Sequence, residues 1–353
     1  MSRLLLIFLL CALAGGAFAQ STVEGVLEAA YQAGHFNGSA LVVQEGKVVG
    51  RVSKGYANLQ FAVPITASTR FPIASMTKTF TTILVLQLME KSLLQLDDKA
   101  AQYVPDLPAS CQNITLRELL THHSGLQNEP LLAYKARYST AEYVKKFVNR
   151  PEQTKEPGFN YNNVDYVLLT RVLEVVTHKS YAALLQERIF TPLELHDSGV
   201  VREATITPNL AYGYHNYTFG AGHKTDTLFN DSPVYLSNYA GAGAMYSTPE
   251  DVYKLVQGLK SHRLLSRKTT AAYLIKPQDP TYIDGIRGYP TLGFYFNDRT
   301  FPNTPLLERR GSINGFNSAL LMDSSFRKVV ILLTNTDTGD MEVLGDQLYR
   351  QLQ

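Results

Sequence analysis

Ser75 and Lys78 stand three residues apart at the start of a long apolar stretch. On a helix that spacing puts both side chains on one face, about 5–6 Å apart at Cβ, so Lys78 can reach the Ser75 hydroxyl. A serine hydroxyl is a poor nucleophile until a neighbour accepts its proton, and a desolvated lysine is able to do this. The lysine pKa must fall by about three units from roughly 10.4, which burial can supply. A helix N-terminus adds roughly half a positive charge beside the serine. The same spacing recurs at Ser325-Phe326-Arg327-Lys328, which reads as a solvated turn between strands. Only Ser75 opens a buried helix.

Tyr161-Asn162-Asn163 follows Pro157-Gly158 and precedes a helical pattern containing Tyr166, Leu168 and Leu169. A tyrosine hydroxyl can share a proton with Lys78 and pass it to a leaving group, and an amide can orient a substrate carbonyl. The Y-x-N pattern recurs at Tyr56, Tyr214 and Tyr295, where packing or turn roles are expected.

The elements that must hold these residues follow from periodicity. Ser39 to Gln44 and Lys47 to Val52 are β-rich runs split by the turn signal Glu45-Gly46. The stretch from Ser75 to about Lys91 reads as a helix that is apolar nearly all round, which belongs at the centre of a protein. Helices are expected over Ile114 to Thr121, Ser139 to Val148, Asp165 to Val176 and Tyr181 to Ile189, with Ser139 or Thr140 capping the second. Residues 205–245 show no clear period and read as a long excursion that lines a cleft. Strand patterns return at Thr291 to Phe296, Leu306 to Arg309, Phe316 to Met322 and Val329 to Leu333, before a last helix at about Asp340 to Gln351. Early strands, a helical middle and late strands predict an α/β (α+β) fold, one sheet built from both chain ends with a mainly helical region inserted. The expected division is 20–96 with 249–353 for the sheet lobe and 97–248 for the helical lobe.

Composition removes several function classes. The 353 residues carry 33 basic and 31 acidic side chains, a net charge of +2, with no block of like charge, so no nucleic-acid footprint exists. Hydrophobic content of 45% with 18% charged residues fits a globular protein rather than disorder. Residues 1–19 carry a cationic start, a short apolar run and Ala17-Phe18-Ala19, the pattern of a secretory signal. The apolar run is shorter than the roughly 20 residues that span a bilayer, so an exported chain without a stable membrane anchor is expected, in the periplasm or secreted. Cleavage would leave Cys111 as the one cysteine, read as inert because no charge flanks it. No metal-ligand spacing is present, neither H-E-x-x-H nor a Cys/His cluster.

Ser75-x-x-Lys78, Tyr161-x-Asn163 and the late run Gly311-Ser312-Ile313-Asn314-Gly315-Phe316-Asn317-Ser318 occur in an order that resembles the serine β-lactamase-like hydrolases. That family includes class C β-lactamases, D-alanyl-D-alanine carboxypeptidases, esterases and D-aminopeptidases, and S-x-x-K is among its motifs. Thr69 to Ser75, Leu96-Asp97-Asp98, Leu119 to Leu126 and Ser247 to Asp251 also look like family segments, extending the resemblance from about Gly38 to Asn335. Among these, His122 reads as a buried, hydrogen-bonded loop residue.

The resemblance implies a β-lactamase/transpeptidase-like fold with an antiparallel sheet flanked by helices. It implies acyl transfer through a covalent serine ester: Ser75 attacks, Lys78 with Tyr161 moves the proton, and the backbone N–H groups of Ser75 and Ser312 hold the oxyanion. Asn163 would hold the substrate amide, and no metal or organic cofactor is implied. The family's third motif is usually a His or Lys, one residue, then Gly. Here Arg309-Arg310-Gly311 occupies that place, and arginine keeps the charge but cannot transfer a proton. Strand alternation puts Arg309 on the face of Gly311, at the rim of the substrate space and suited to a carboxylate, with Arg310 facing away. The expected partner is a small peptide, ester or β-lactam, with D-residue peptides or simple esters favoured. A non-catalytic binding protein for peptidoglycan fragments on the same scaffold is the competing reading.

Overall fold

The computed structural model describes residues 22–151, 158–217, 224–230, 234–313 and 315–353. The signal read at residues 1–19 therefore lies outside the described residues, as does Asn314 of the late motif.

Seven strands form one antiparallel sheet, in the order β3-β4-β5-β6-β7-β1-β2. They are β1 (Gly38–Gln44), β2 (Lys47–Lys54), β3 (Tyr289–Pro290), β4 (Tyr295–Asn297), β5 (Leu306–Ile313), β6 (Phe316–Asp323) and β7 (Val329–Thr334). The two chain ends meet where β1 pairs with β7, from Gly38 opposite Thr334 to Val43 opposite Val329. That closure is the sheet built from both ends that the sequence pattern predicts. Alternation along β6 and β7 sends Leu320, Met322, Ile331 and Leu333 to the large core and Ala319, Leu321, Val330 and Leu332 to a smaller one. Helices α1 (Val23–Gln32) and α7 (Met341–Arg350) cover the smaller core.

Helix α2 (Thr77–Glu90) lies in the large core, buried on nearly every side. The one-turn 3₁₀ segment Ala74–Met76 leads into it. From Phe71 to Leu86 every residue is buried except Ser75. Between the sheet segments come α3 (Leu116–Leu120), α4 (Thr140–Phe147) and α5 (Asn163–Thr177). Capping boxes fix two of their starts, Thr115 with Glu118 and Ser139 with Glu142. Asn162 caps α5 by accepting from Val164 N–H at 2.7 Å, so that helix opens two residues before the expected Asp165. Thr248 caps α6 (Pro249–Lys260). Within the 205–245 excursion, Tyr214–Tyr217 and Lys224–Asn230 pair as an antiparallel hairpin.

Strand β5 runs four residues beyond the expected Leu306–Arg309, because Arg310 to Ile313 continue the ladder opposite Ala319 to Phe316. On its β5 side, strand β4 pairs with Leu306, Leu307 and Glu308. The far half of β5 instead passes against the turn that carries Ser75. A Cβ on Gly311 would stand 2.5 Å from Ile73 O and 2.7 Å from Ser75 N. Only glycine permits that approach.

Gly311→Ala should therefore push β5 off the Ser75 turn, costing about 1–3 kcal/mol as an overpacked contact and lowering activity in step. Gly285 lines the same cleft with nothing within 4 Å of an added Cβ, so Gly285→Ala should leave thermal unfolding within about 0.5 kcal/mol of wild type. Equal midpoints for the two variants would show that the close approach is not maintained in solution.

Candidate active site

Ser75 is presented by a turn under tension. Ala74 just before it has φ of 47°, in the left-handed region, a conformation that costs about 1–3 kcal/mol for a non-glycine residue. Three contacts hold the turn: Ile73 N–H donates to Met245 O at 2.9 Å, Ser318 Oγ donates to Ile73 O at 2.8 Å, and Arg309 Nε donates to Ser75 O at 2.9 Å. The result aims the Ser75 hydroxyl into a cleft of about 500 Å³ that Tyr161, Arg309, Gly311 and Ser312 also line.

Lys78 is fully buried. Its Nζ donates to Ser75 Oγ at 3.2 Å, Asn163 Oδ1 at 2.7 Å and Ala242 O at 2.9 Å. Burial lowers its pKa, and the Arg309 charge adds to this; Tyr161 and Glu129 act against both without reversing them. The one-turn spacing thus produces the contact it predicts, with an amine whose proton affinity is reduced.

Tyr161 sits one residue before the α5 cap. Lys78 Nζ is 4.9 Å from its ring centroid, and the phenol interacts with both Lys78 and Ser75. Arg309 donates to its hydroxyl through Nη2 at 3.2 Å. Burial alone would raise the phenol pKa, but the Lys78 and Arg309 charges outweigh it and bring the group down to about 8. A tyrosine in that range exchanges a proton near neutrality.

Asn163 uses both ends of its amide within the protein, since Oδ1 accepts from Lys78 and Nδ2 donates to Glu129 Oε1 at 2.9 Å. Glu129 had no signal in the sequence, standing alone in the irregular segment after Leu126. Tyr134 donates to the same oxygen at 2.6 Å. The other oxygen, Glu129 Oε2, is buried with no hydrogen-bond partner among the described residues.

Arg309 lies deeper than the rim expected for it, with only 2% of its surface exposed. The approach of β5 to the Ser75 turn draws the guanidinium beneath Ser75, against the rings of Tyr161 and Tyr295 at 5.9 and 5.4 Å. Tyr295, read as a packing residue, thereby becomes part of the cleft wall. Arg310 takes the opposite face of the strand, ion-paired with Glu342 and donating to Ile286 O, yet it also lines the cleft. Ser325 lies exposed in the turn between β6 and β7, hydrogen-bonded to Asp323, well away from these groups. Cys111 is buried, and burial raises its thiol pKa, which suppresses the reactive thiolate.

Comparison with known proteins accords with this arrangement. A curated relative, the teichoic acid D-alanine hydrolase of Staphylococcus aureus strain MRSA252, is 30% identical over 320 residues, covering 90% of this chain and 74% of that protein. The crystal structure of FmtA from Staphylococcus aureus superposes with a TM-score of 0.77 at 27% identity, over 92% of this chain and 85% of that one. The D-amino acid amidase of Ochrobactrum anthropi SV3, complexed with D-phenylalanine, gives a TM-score of 0.78 at 25% identity, over 93% and 97%. The family model described as Beta-lactamase matches residues 23–353. With the fold and the Ser75–Lys78–Tyr161 cluster both in place, the chain belongs to the β-lactamase family of serine hydrolases.

Proposed function

We propose that this protein is an exported hydrolase of D-aminoacyl esters or amides, acting through an acyl-Ser75 intermediate. The observation that carries the substrate class is Glu129. A carboxylate oxygen left unpaired in a buried site is costly, and a substrate α-ammonium is the group that would satisfy it. The same carboxylate is tied through Asn163 to Lys78, which supports binding of the ammonium close to the Ser75–Lys78 pair. The D-configuration is supported by the relatives, one named for teichoic acid D-alanine and one for D-amino acid amides. The signal-like segment at residues 1–19 supports export to where such substrates occur.

The geometry supports the following steps. Ser75 Oγ gives its proton to the Lys78–Tyr161 pair and bonds to the substrate carbonyl carbon. The carbonyl oxygen, now an anion, takes hydrogen bonds from the N–H groups of Ser75 and Ser312. Collapse breaks the bond to the leaving alcohol or amine, which receives its proton from Tyr161. Water then attacks the acyl-serine by the reverse proton path. Arg309 holds charge and position throughout, because a guanidinium does not titrate at ordinary pH.

Three experiments test this reading. Ser75→Ala should abolish labelling by a fluorophosphonate probe, read by intact mass, in a protein with an unchanged unfolding midpoint. Labelling of the variant would remove Ser75 from its role. With a D-alanyl ester as substrate, kcat/KM should rise with pH as Tyr161 loses its proton, with a midpoint at about 8. Tyr161→Phe should erase that limb and lower kcat by about 10²–10⁴-fold, and a loss below about threefold would remove Tyr161 from proton transfer. Glu129→Gln keeps the hydrogen bonds and drops the charge. It should raise KM for D-alanine esters about 10–100-fold, the worth of a charge-assisted hydrogen bond, and spare acetyl esters, which lack the ammonium. Equal effects on both substrates would overturn the assignment.

A further inference from the structure

Behind Tyr161, away from the cleft, lies a buried cluster that the proposed steps do not use. His122 follows α3 with φ of 60°, a left-handed backbone that persists only where its surroundings over-determine it. Its imidazole packs on the Tyr161 ring at 4.5 Å between centroids and on the Tyr166 ring at 5.3 Å, each tilted by 40°. Nδ1 is 2.8 Å from Asp165 Oδ2, and Ser124 Oγ donates to Asp165 Oδ1 at 2.5 Å. Asn162, the α5 cap, donates its backbone N–H to the same His122 Nδ1 at 3.3 Å. A backbone N–H can only donate, so this contact favours the tautomer with Nδ1 unprotonated, which puts the ring proton on Nε2, buried without a partner among the described residues. The Asp165 contact to that nitrogen then needs its proton from the carboxyl group.

We infer that Asp165 is a protonated carboxylic acid donating to a neutral His122, and that this uncharged pair is a positioning device that fixes the Tyr161 ring for proton transfer. The groups facing the pair act on its two members differently: Lys78 and Arg309 oppose a charge on His122, while Lys78 and the Ser124 hydroxyl favour an ionised Asp165 and burial outweighs them. Lys78 from α2 and Arg309 from β5 present positive charge, Tyr161 and Tyr166 present phenols, and His123 adjoins on the loop. Burial first, then Lys78 and Arg309, hold His122 well below the usual imidazole range, while burial drives Asp165 well above the carboxylate range. An ionised pair would set an imidazolium between two other cations. The neutral form gives the Tyr161 ring a rigid wall without adding charge to a site whose proton balance already depends on Lys78 and Arg309.

The positioning role rests on Tyr161 acting in proton transfer, so the test separates the two. Infrared difference spectra of wild type against Asp165→Asn at pH 7 should show a carboxylic-acid C=O band present in wild type and lost in the variant. A carboxylate band in its place overturns the proposal, whatever Tyr161 does. The amide introduced by Asp165→Asn imitates the neutral acid, with N–H toward His122 Nδ1 and C=O toward Ser124. That variant should therefore keep kcat within about threefold and leave the pH profile unmoved; a shifted profile overturns the proposal. His122→Asn retains an acceptor near Nδ1 and removes the ring. It should lower kcat about 10–100-fold, as a misplaced catalytic group does, with KM changed less than about twofold. In the Tyr161→Phe background the same substitution should cost almost nothing, because its effect acts through Tyr161. Additive losses, or unchanged kcat in the single variant, would overturn the positioning role.

Discussion

The amine of Lys78 is the group around which the rest of the structure is arranged. Water would hold it protonated at neutral pH, and a protonated amine cannot accept from Ser75. The protein removes water by placing Lys78 on a helix that is itself core, with Phe80, Ile83, Leu84 and Leu86 following it into the interior. Desolvation would go too far if nothing replaced the lost hydrogen bonds, since an unpartnered buried amine is costly. Ser75, Asn163 and Ala242 supply three acceptors from three separate parts of the chain. The large core therefore has a chemical as well as a structural role, because its dryness sets the proton affinity of the amine.

That arrangement demands close approach between elements distant in sequence, and the backbone bears the strain. Ala74 and Ala240 both have positive φ, one beside Ser75 and one two residues before the carbonyl that accepts from Lys78. The contacts that over-determine them are specific. Ser318 and Arg309 from the sheet hold the first turn, while Thr81 and Thr170 grip the segment at Gly241, through its carbonyl at 2.7 Å and its N–H at 3.0 Å. Strain at a functional turn is tolerable when rigid elements on both sides pin it. Here the sheet pins one side and α2 with α5 the other.

Which parts of this could be read from the sequence follows the distance over which each interaction is encoded. Ser75 and Lys78 lie within one helical turn, so their contact is a local fact and was legible. The strands from both chain ends were legible as alternating runs, although β5 extends beyond its pattern because Gly311 and Ser312 interrupt the apolar alternation while still pairing with β6. Glu129 was invisible, since its importance comes from Asn163 and Tyr134 meeting it across a loop with no period. The depth of Arg309 was equally hidden. Alternation assigns a face, but only the distance between β5 and the Ser75 turn decides whether a long side chain on that face reaches solvent or tucks beneath the nucleophile. His122 was correctly expected to be buried and hydrogen-bonded, yet its contact with Tyr161 depends on how α3 and α5 pack.

The depth of Arg309 explains how a guanidinium serves where the family pattern has a histidine or lysine. Burial by itself disfavours the charge, but Tyr161 and Tyr295 beside it reverse that balance and raise the arginine pKa. The cation is thus kept in place by the phenols it polarises. A lysine there would compete with Lys78 for the same proton, and a histidine would add a titration near neutrality. Arginine does neither, so in the proposed steps proton exchange is confined to Ser75, Lys78 and Tyr161. The planar fork also reaches two targets at once, the Ser75 carbonyl and the Tyr161 hydroxyl, which a single ammonium would span less rigidly. One side chain therefore ties Ser75 to Tyr161 while lowering the proton affinity of that tyrosine, linking the geometry of the site to its electrostatics.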